Sequence, residues 1–175
     1  MNIFYLDRDL VKSAQAHVDK HIVKMPLETA QLLCTARHEL GWTPEHIPYR
    51  KTHVNHPCSV WARESYANYQ WLCGMGIELC KEYTYRYGKH HATERLIEPL
   101  RNPPIVIAET SQRSFSDPPQ CMPDYCKADD TVSAYQNYYI LEKSDFATWK
   151  RRDKPEWFHG RKERTLLGLH EARGV

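Results

Sequence analysis

The sequence predicts an all-α protein, a single compact domain of three main helices with shorter helices between them and a long proline-rich loop. Apolar residues recur at helical spacing over residues 10–40, 59–87 and 130–149. Capping residues precede these stretches, and Gly41 and Gly88 stand just past the first two. At 175 residues the chain matches the usual size of one domain and is long enough to bury a core without staples.

The elements follow in order. Ile3 to Leu6 is a short apolar run, either an N-terminal strand or a buried lead-in. Asp7 or Asp9 caps a helix running through Leu40, whose inner face carries Val11, Ala14, Val18, Ile22, Met25, Thr29, Leu32 and Ala36. Pro26 removes one backbone hydrogen bond and is expected to kink this helix or split it. Residues 42–58 read as a loop. The second long helix, 59–87, is rich in aromatic and small residues and is expected to lie centrally, packed on more than one side. A short helix fits 91–100. Prolines 99, 103, 104, 118, 119 and 123 then mark an irregular stretch of a length that is often functional. Asp129 or Asp130 caps the third helix, expected through Trp149, and a short amphipathic helix at 161–170 closes the chain.

Composition narrows the function classes. The hydrophobic fraction is 41% and the charged fraction 26%, which suits a folded domain. No apolar run approaches the ~20 residues that span a bilayer, so no membrane partner is expected. Acids at Asp7 and Asp9 leave no basic, apolar leader, so the expected setting is the cytoplasm. The six cysteines form no CxxC pair and read as small buried hydrophobes, with Cys121 and Cys126 in a loop. Net charge is +2, but residues 150–175 hold eight basic and four acidic side chains. This basic tail could hold phosphates or form a solvated terminal helix. No P-loop, dinucleotide-binding glycine motif or G-x-S-x-G elbow is present, which argues against a nucleotide-driven kinase or dehydrogenase. No cofactor is expected.

The polar chemistry gathers on the first long helix. At 100° per residue, His17, His21, Lys24 and Glu28 fall within about 60° of one another, beside the apolar face. A carboxylate, an amine and two imidazoles at the edge of a core supply a charge, a nucleophile and proton carriers, with pKa values that burial would bring toward neutrality. The alternative is an exposed Lys–Glu i,i+4 pair with two surface histidines. His53 and His56 form a second cluster. With His17 and His21 they could complete a four-histidine metal site, or they could act as donors to backbone or phosphate. Arg63 and Asn68 could face the same cleft.

Two resemblances add to this reading. The segments Asp19-Lys20-His21-Ile22-Val23-Lys24-Met25, Thr52-His53-Val54-Asn55-His56-Pro57, Glu82-Tyr83-Thr84-Tyr85-Arg86-Tyr87-Gly88, Pro118-Pro119-Gln120-Cys121-Met122-Pro123-Asp124 and Asn137-Tyr138-Tyr139 resemble an uncharacterised family of small phage-encoded proteins over the whole chain. That likeness implies a host-cytoplasmic setting but no activity. More distantly, Asp19, His21 and Glu28 resemble the small all-helical phage pyrimidine-dimer DNA glycosylases, which carry Asp-x-His in the first helix and a catalytic glutamate seven residues after the histidine. The resemblance implies attack of an amine on the sugar C1′, with the glutamate steadying the sugar cation and assisting elimination. Those enzymes use the α-amine of a small N-terminal residue, whereas here Met1 precedes the bulky Asn2. Their DNA-gripping arginines are replaced by Ile3, Leu27 and Gln31.

The leading expectation is therefore a DNA-acting enzyme of the glycosylase/AP-lyase type on a damaged or modified base. Glu28, Lys24, His21 and Met1 would be catalytic, and His17, His53, His56, Arg63 and Asn68 would meet the DNA or nucleotide. One alternative is a metal-dependent nuclease or hydrolase built on His17, His21, His53 and His56. The other is a non-enzymatic phage nucleic-acid-binding or host-interaction protein. The oligomeric state is open.

Overall fold

A computed structural model describes residues 1–41, 47–104, 107 and 113–160. Its regular elements are all helical: α1 (Leu10–Ala16), α2 (Asp19–Glu39), α3 (Pro57–Glu64), α4 (Tyr66–Tyr87), α5 (Glu94–Leu100) and α6 (Thr131–Glu142). Two 3-10 turns, Asp124–Cys126 and Ser144–Phe146, flank α6. No strand occurs among the described residues, so Ile3 to Leu6 is a buried lead-in. No helix among them is long and apolar enough to cross a membrane. The expected helix at 161–170 and much of the basic tail lie outside the described residues, as do parts of the 42–58 loop and of the proline-rich stretch.

Helix α4 is the central element, packing against α1, α2, α3 and α5. Two glycines let its neighbours approach. A Cβ on Gly74 would stand 2.9 Å from Leu10 Cδ1, and one on Gly76 would stand 2.9 Å from Thr29 Cγ2 and 3.1 Å from Ile97 Cδ1. Gly88 ends α4 at φ 68°, a left-handed conformation that side chains with a Cβ adopt at a cost.

Two of the three long helices are broken where sequence spacing ran on. The first is not split at Pro26, which sits inside α2. It breaks at His17 and Val18, both extended (ψ 136° and 155°). The cause lies 69 residues away. The fully buried guanidinium of Arg86 donates to the carbonyls of Gln15 and His17 and to Asp19, while holding Glu82 through Nε. Carbonyls bound by an arginine need no helical donor, so the chain can turn there. The second stretch divides at Ser65, whose hydroxyl caps α4 by accepting from the Asn68 N–H. The third helix stops at Glu142 rather than Trp149, with the Ser144 hydroxyl donating back to the Ile140 carbonyl at 2.5 Å.

The N-terminal lead-in is wedged between two apolar clusters. Ile3 joins the cluster of Leu32, Leu33, Trp61 and Leu72, with Met1 packed against it. Phe4, Tyr5 and Leu6 join Ile22, Met25, Tyr135 and Tyr139. Each such buried side chain contributes about 1.5–3 kcal/mol. The Leu6 N–H donates to Ser13 Oγ at 3.2 Å, and the Leu6 carbonyl accepts from Gln136 at 3.1 Å. The first residues of the chain are thereby fixed in the core, which sets where the chain's start comes to lie.

Candidate functional site

The lead-in runs across α2 at Glu28. The Asn2 backbone N–H donates to Glu28 Oε2, a long bond at 3.4 Å. Lys24 Nζ holds the other oxygen, Oε1, at 2.7 Å from one turn earlier on the same helix. Only 12% of the Glu28 side chain is exposed, against 62% for Lys24. The Met1 nitrogen is three bonds from that of Asn2, so it stands within about 7 Å of the carboxylate. Its positive charge also bears on His56, Cys58 and Cys121.

Asn2 is the clamp that holds this arrangement. Its Nδ2 donates to the Cys121 carbonyl at 2.8 Å. Its Oδ1 accepts from the Ile3 N–H at 2.8 Å and lies 2.9 Å from the Tyr135 hydroxyl. That hydroxyl is also 2.6 Å from the Pro119 carbonyl. The N-terminus, α6 and the proline-rich segment are thus joined at one residue.

Beside it lies a cluster that the spacing of cysteines alone did not suggest. Cys58, fully buried at the start of α3, donates its thiol to Cys121 Sγ at 3.6 Å and also lies 3.7 Å from Asn2 Oδ1. His56 is the N-cap of α3, its Nδ1 accepting from the Cys58 N–H at 3.2 Å. One ligand atom from each of His56, Cys58 and Cys121 falls within 4.8 Å of the others. The hydrogen bond from Cys58 draws the Cys121 thiol down toward its thiolate, while the same bond and burial push Cys58 up. Burial, with the Met1 charge behind it, lowers the pKa of His56. The available signal was the His-x-Cys spacing at the head of a helix; the third member is 63 residues further on.

His17 and His21 are placed differently from their expected positions at a cleft edge. The break between α1 and α2 takes His17 off the helix that carries Glu28. His17 is 1% exposed, its Nδ1 lying 2.7 Å from the Ser13 carbonyl. His21 stacks on Phe4 at 4.2 Å between centroids, and its Nδ1 meets the Tyr139 hydroxyl at 2.6 Å. Burial brings His17 down to about 4 and His21 to about 3, the latter aided by His17, Lys143 and Lys24. Both are neutral packing groups, shifted away from neutrality rather than toward it. Asp19 also belongs to the scaffold, accepting from Arg86 and from the Lys150 N–H. Of the Asp-x-His…Glu spacing, Glu28 alone reaches the site.

The four histidines His17, His21, His53 and His56 do not converge on a metal position; of these, only His56 joins the ligand cluster found among the described residues. His53 is exposed, in a left-handed turn at φ 49° with Nδ1 2.7 Å from Thr52 Oγ1. Arg63 braces the loop before α3 by donating to the carbonyls of Val54 and Ser59. Asn68 is buried and pairs with the Trp61 carbonyl and with Ser116. These two side chains serve local structure. An open depression of about 600 Å³ lies between α4 and α5, near Ile77, Lys81, His91 and Arg95, and Glu28 does not line it. In the described part of the tail, Arg152 holds both oxygens of Glu82 and Arg151 donates to the Tyr85 carbonyl, so these cations bind the body of the protein. No family model, curated protein or solved structure matches the chain.

Proposed function

We propose that this chain is a DNA-acting enzyme of the glycosylase/AP-lyase type, with the Met1 α-amine as nucleophile and Glu28 as the acid–base group. The observation that carries the reading is the bond from the Asn2 N–H to Glu28 across 26 residues, which brings the α-amine within about 7 Å of a largely buried carboxylate. In the proposed reaction the neutral amine attacks C1′ of a damaged nucleotide. The C1′–N bond breaks and the base leaves with its electron pair, taking up a proton. The C1′–O4′ bond then breaks, O4′ takes up a proton from the amine, and the sugar opens to a protonated imine. Glu28 steadies that cation and removes a C2′ proton, the C3′–O bond breaks, and the 3′ phosphate departs. Water then hydrolyses the imine and returns the amine.

Lys24 is the competing amine. It is mostly exposed and paired with Glu28, and a surface lysine needs desolvation to become a good nucleophile. The test is nicking of DNA containing an abasic site. Glu28→Gln keeps an acceptor for Asn2 and removes the base, so nicking is expected to fall at least about 100-fold. Unchanged nicking in that variant, or none in the original protein, overturns the reading, and salt-sensitive DNA binding without cleavage would mark a binding protein instead.

A further inference from the structure

We propose that His56, Cys58 and Cys121 form a binding site for one zinc-class divalent ion. The sulfurs are 3.6 Å apart. Two thiolates on one tetrahedral ion at Zn–S distances of about 2.3 Å are separated by about 3.8 Å, so they already stand near the spacing that zinc requires. A disulfide would need about 2.05 Å, a much larger displacement. The third ligand stands beside them. His56 Nδ1 accepts from the Cys58 N–H, so the neutral ring is unprotonated at that nitrogen, and a metal would take its lone pair in exchange for the N-cap bond. All three ligand atoms lie within 4.8 Å of one another, and contraction by about 1 Å brings them to bonding range.

The donor set selects the ion. Two soft sulfurs and an imidazole suit zinc and exclude magnesium and calcium, which take oxygen. Binding replaces the two S–H bonds by S–Zn bonds and releases both protons to solvent, with no change of oxidation state. The site is a genuine junction of the fold: two ligands come from the head of α3 and one from the proline-rich segment, and Asn2 touches both sulfur-bearing residues. An ion here would tie those segments around the chain's start. Three protein ligands leave a fourth position for water.

Cobalt(II) is the probe, because thiolate ligation gives it an intense charge-transfer band and tetrahedral geometry gives visible d–d bands. The full chain, reduced and free of chelator, is titrated with cobalt(II) and then zinc. One equivalent of cobalt with both signatures, displaced by one equivalent of zinc, is the expected result. Cys121→Ser, at a half-buried position, is expected to abolish the charge-transfer band with the circular dichroism intact, while Cys34→Ser leaves the band unchanged. Absence of stoichiometric binding, a spectrum without thiolate character, or a band that survives Cys121→Ser overturns the proposal. The readout needs no DNA, so it is independent of the glycosylase/lyase reading.

Discussion

Asn2 and Glu28 are joined by a single backbone-to-carboxylate hydrogen bond at 3.4 Å, and the Asn2 side chain bonds the Cys121 carbonyl at 2.8 Å. Asn2 therefore fixes the chain's start against the acid of α2. Asn2→Ala keeps the N–H but removes the clamp. It is expected to cost about 1–2 kcal/mol in urea denaturation and to lower the rate of nicking at abasic sites more than it weakens DNA binding. Equal losses in rate and binding would mean that Asn2 supports the fold alone.

Arg86 tests the scaffold. Its guanidinium satisfies Glu82, Asp19 and two carbonyls at the α1–α2 break while wholly buried. Arg86→Met leaves Glu82 with Arg152 as its remaining cation and strands the carbonyls of Gln15 and His17. The expected loss is about 3–5 kcal/mol in unfolding free energy. A loss below about 1 kcal/mol would show that the break is set locally.

Acid should weaken the fold through His17 and His21. Their folded values, about 4 and 3, lie below the ordinary 6.5. Between those limits the unfolded chain binds more protons, so this stability is fully present above pH 6.5 and is lost as pH falls toward 4 and 3. At pH 5 the loss is roughly 2 kcal/mol for each histidine relative to pH 7. Denaturant melts at the two pH values check the loss, and imidazole NMR shifts that stay neutral at pH 5 assign it. Stability that is flat across this interval would contradict their burial as neutral rings.

Gly76 reports on the contact of α4 with α2 and α5. A Cβ there meets Thr29 and Ile97 at 2.9 and 3.1 Å. Helix propensity alone would favour alanine by about 1 kcal/mol. Gly76→Ala is nevertheless expected to destabilise by about 1–3 kcal/mol, because overpacking at a closed interface outweighs propensity. A stabilised variant would mean that the interface gives way.

The helical class, the stops at Gly41 and Gly88 and the cap at Asp130 were legible because they depend on residues close in sequence. The placement of Lys24 and Glu28 together was legible for the same reason. The break at His17 was not, because spacing cannot reveal that Arg86 binds the carbonyls of Gln15 and His17 from another helix. The helical wheel then misplaced His17, and partial burial gave no hint that Phe4 and Tyr139 would enclose His21. The pairing of Cys58 with Cys121 was hidden by separation: it exists because the proline-rich segment passes over the head of α3. The approach of Asn2 to Glu28 depends on burial of Ile3 to Leu6, and the short apolar run at the start of the chain was its sequence trace.

The central claim is that the amine beside Glu28 at the start of the chain is the nucleophile. The most direct measurement is borohydride trapping on DNA with an abasic site, followed by proteolysis and mass spectrometry to locate the reduced adduct. The account expects one sugar-bearing adduct on the α-nitrogen of the Met1 peptide, retained in Lys24→Ala and lost when an additional residue precedes Met1. An adduct on Lys24, or no adduct under conditions where the DNA is bound, would contradict it.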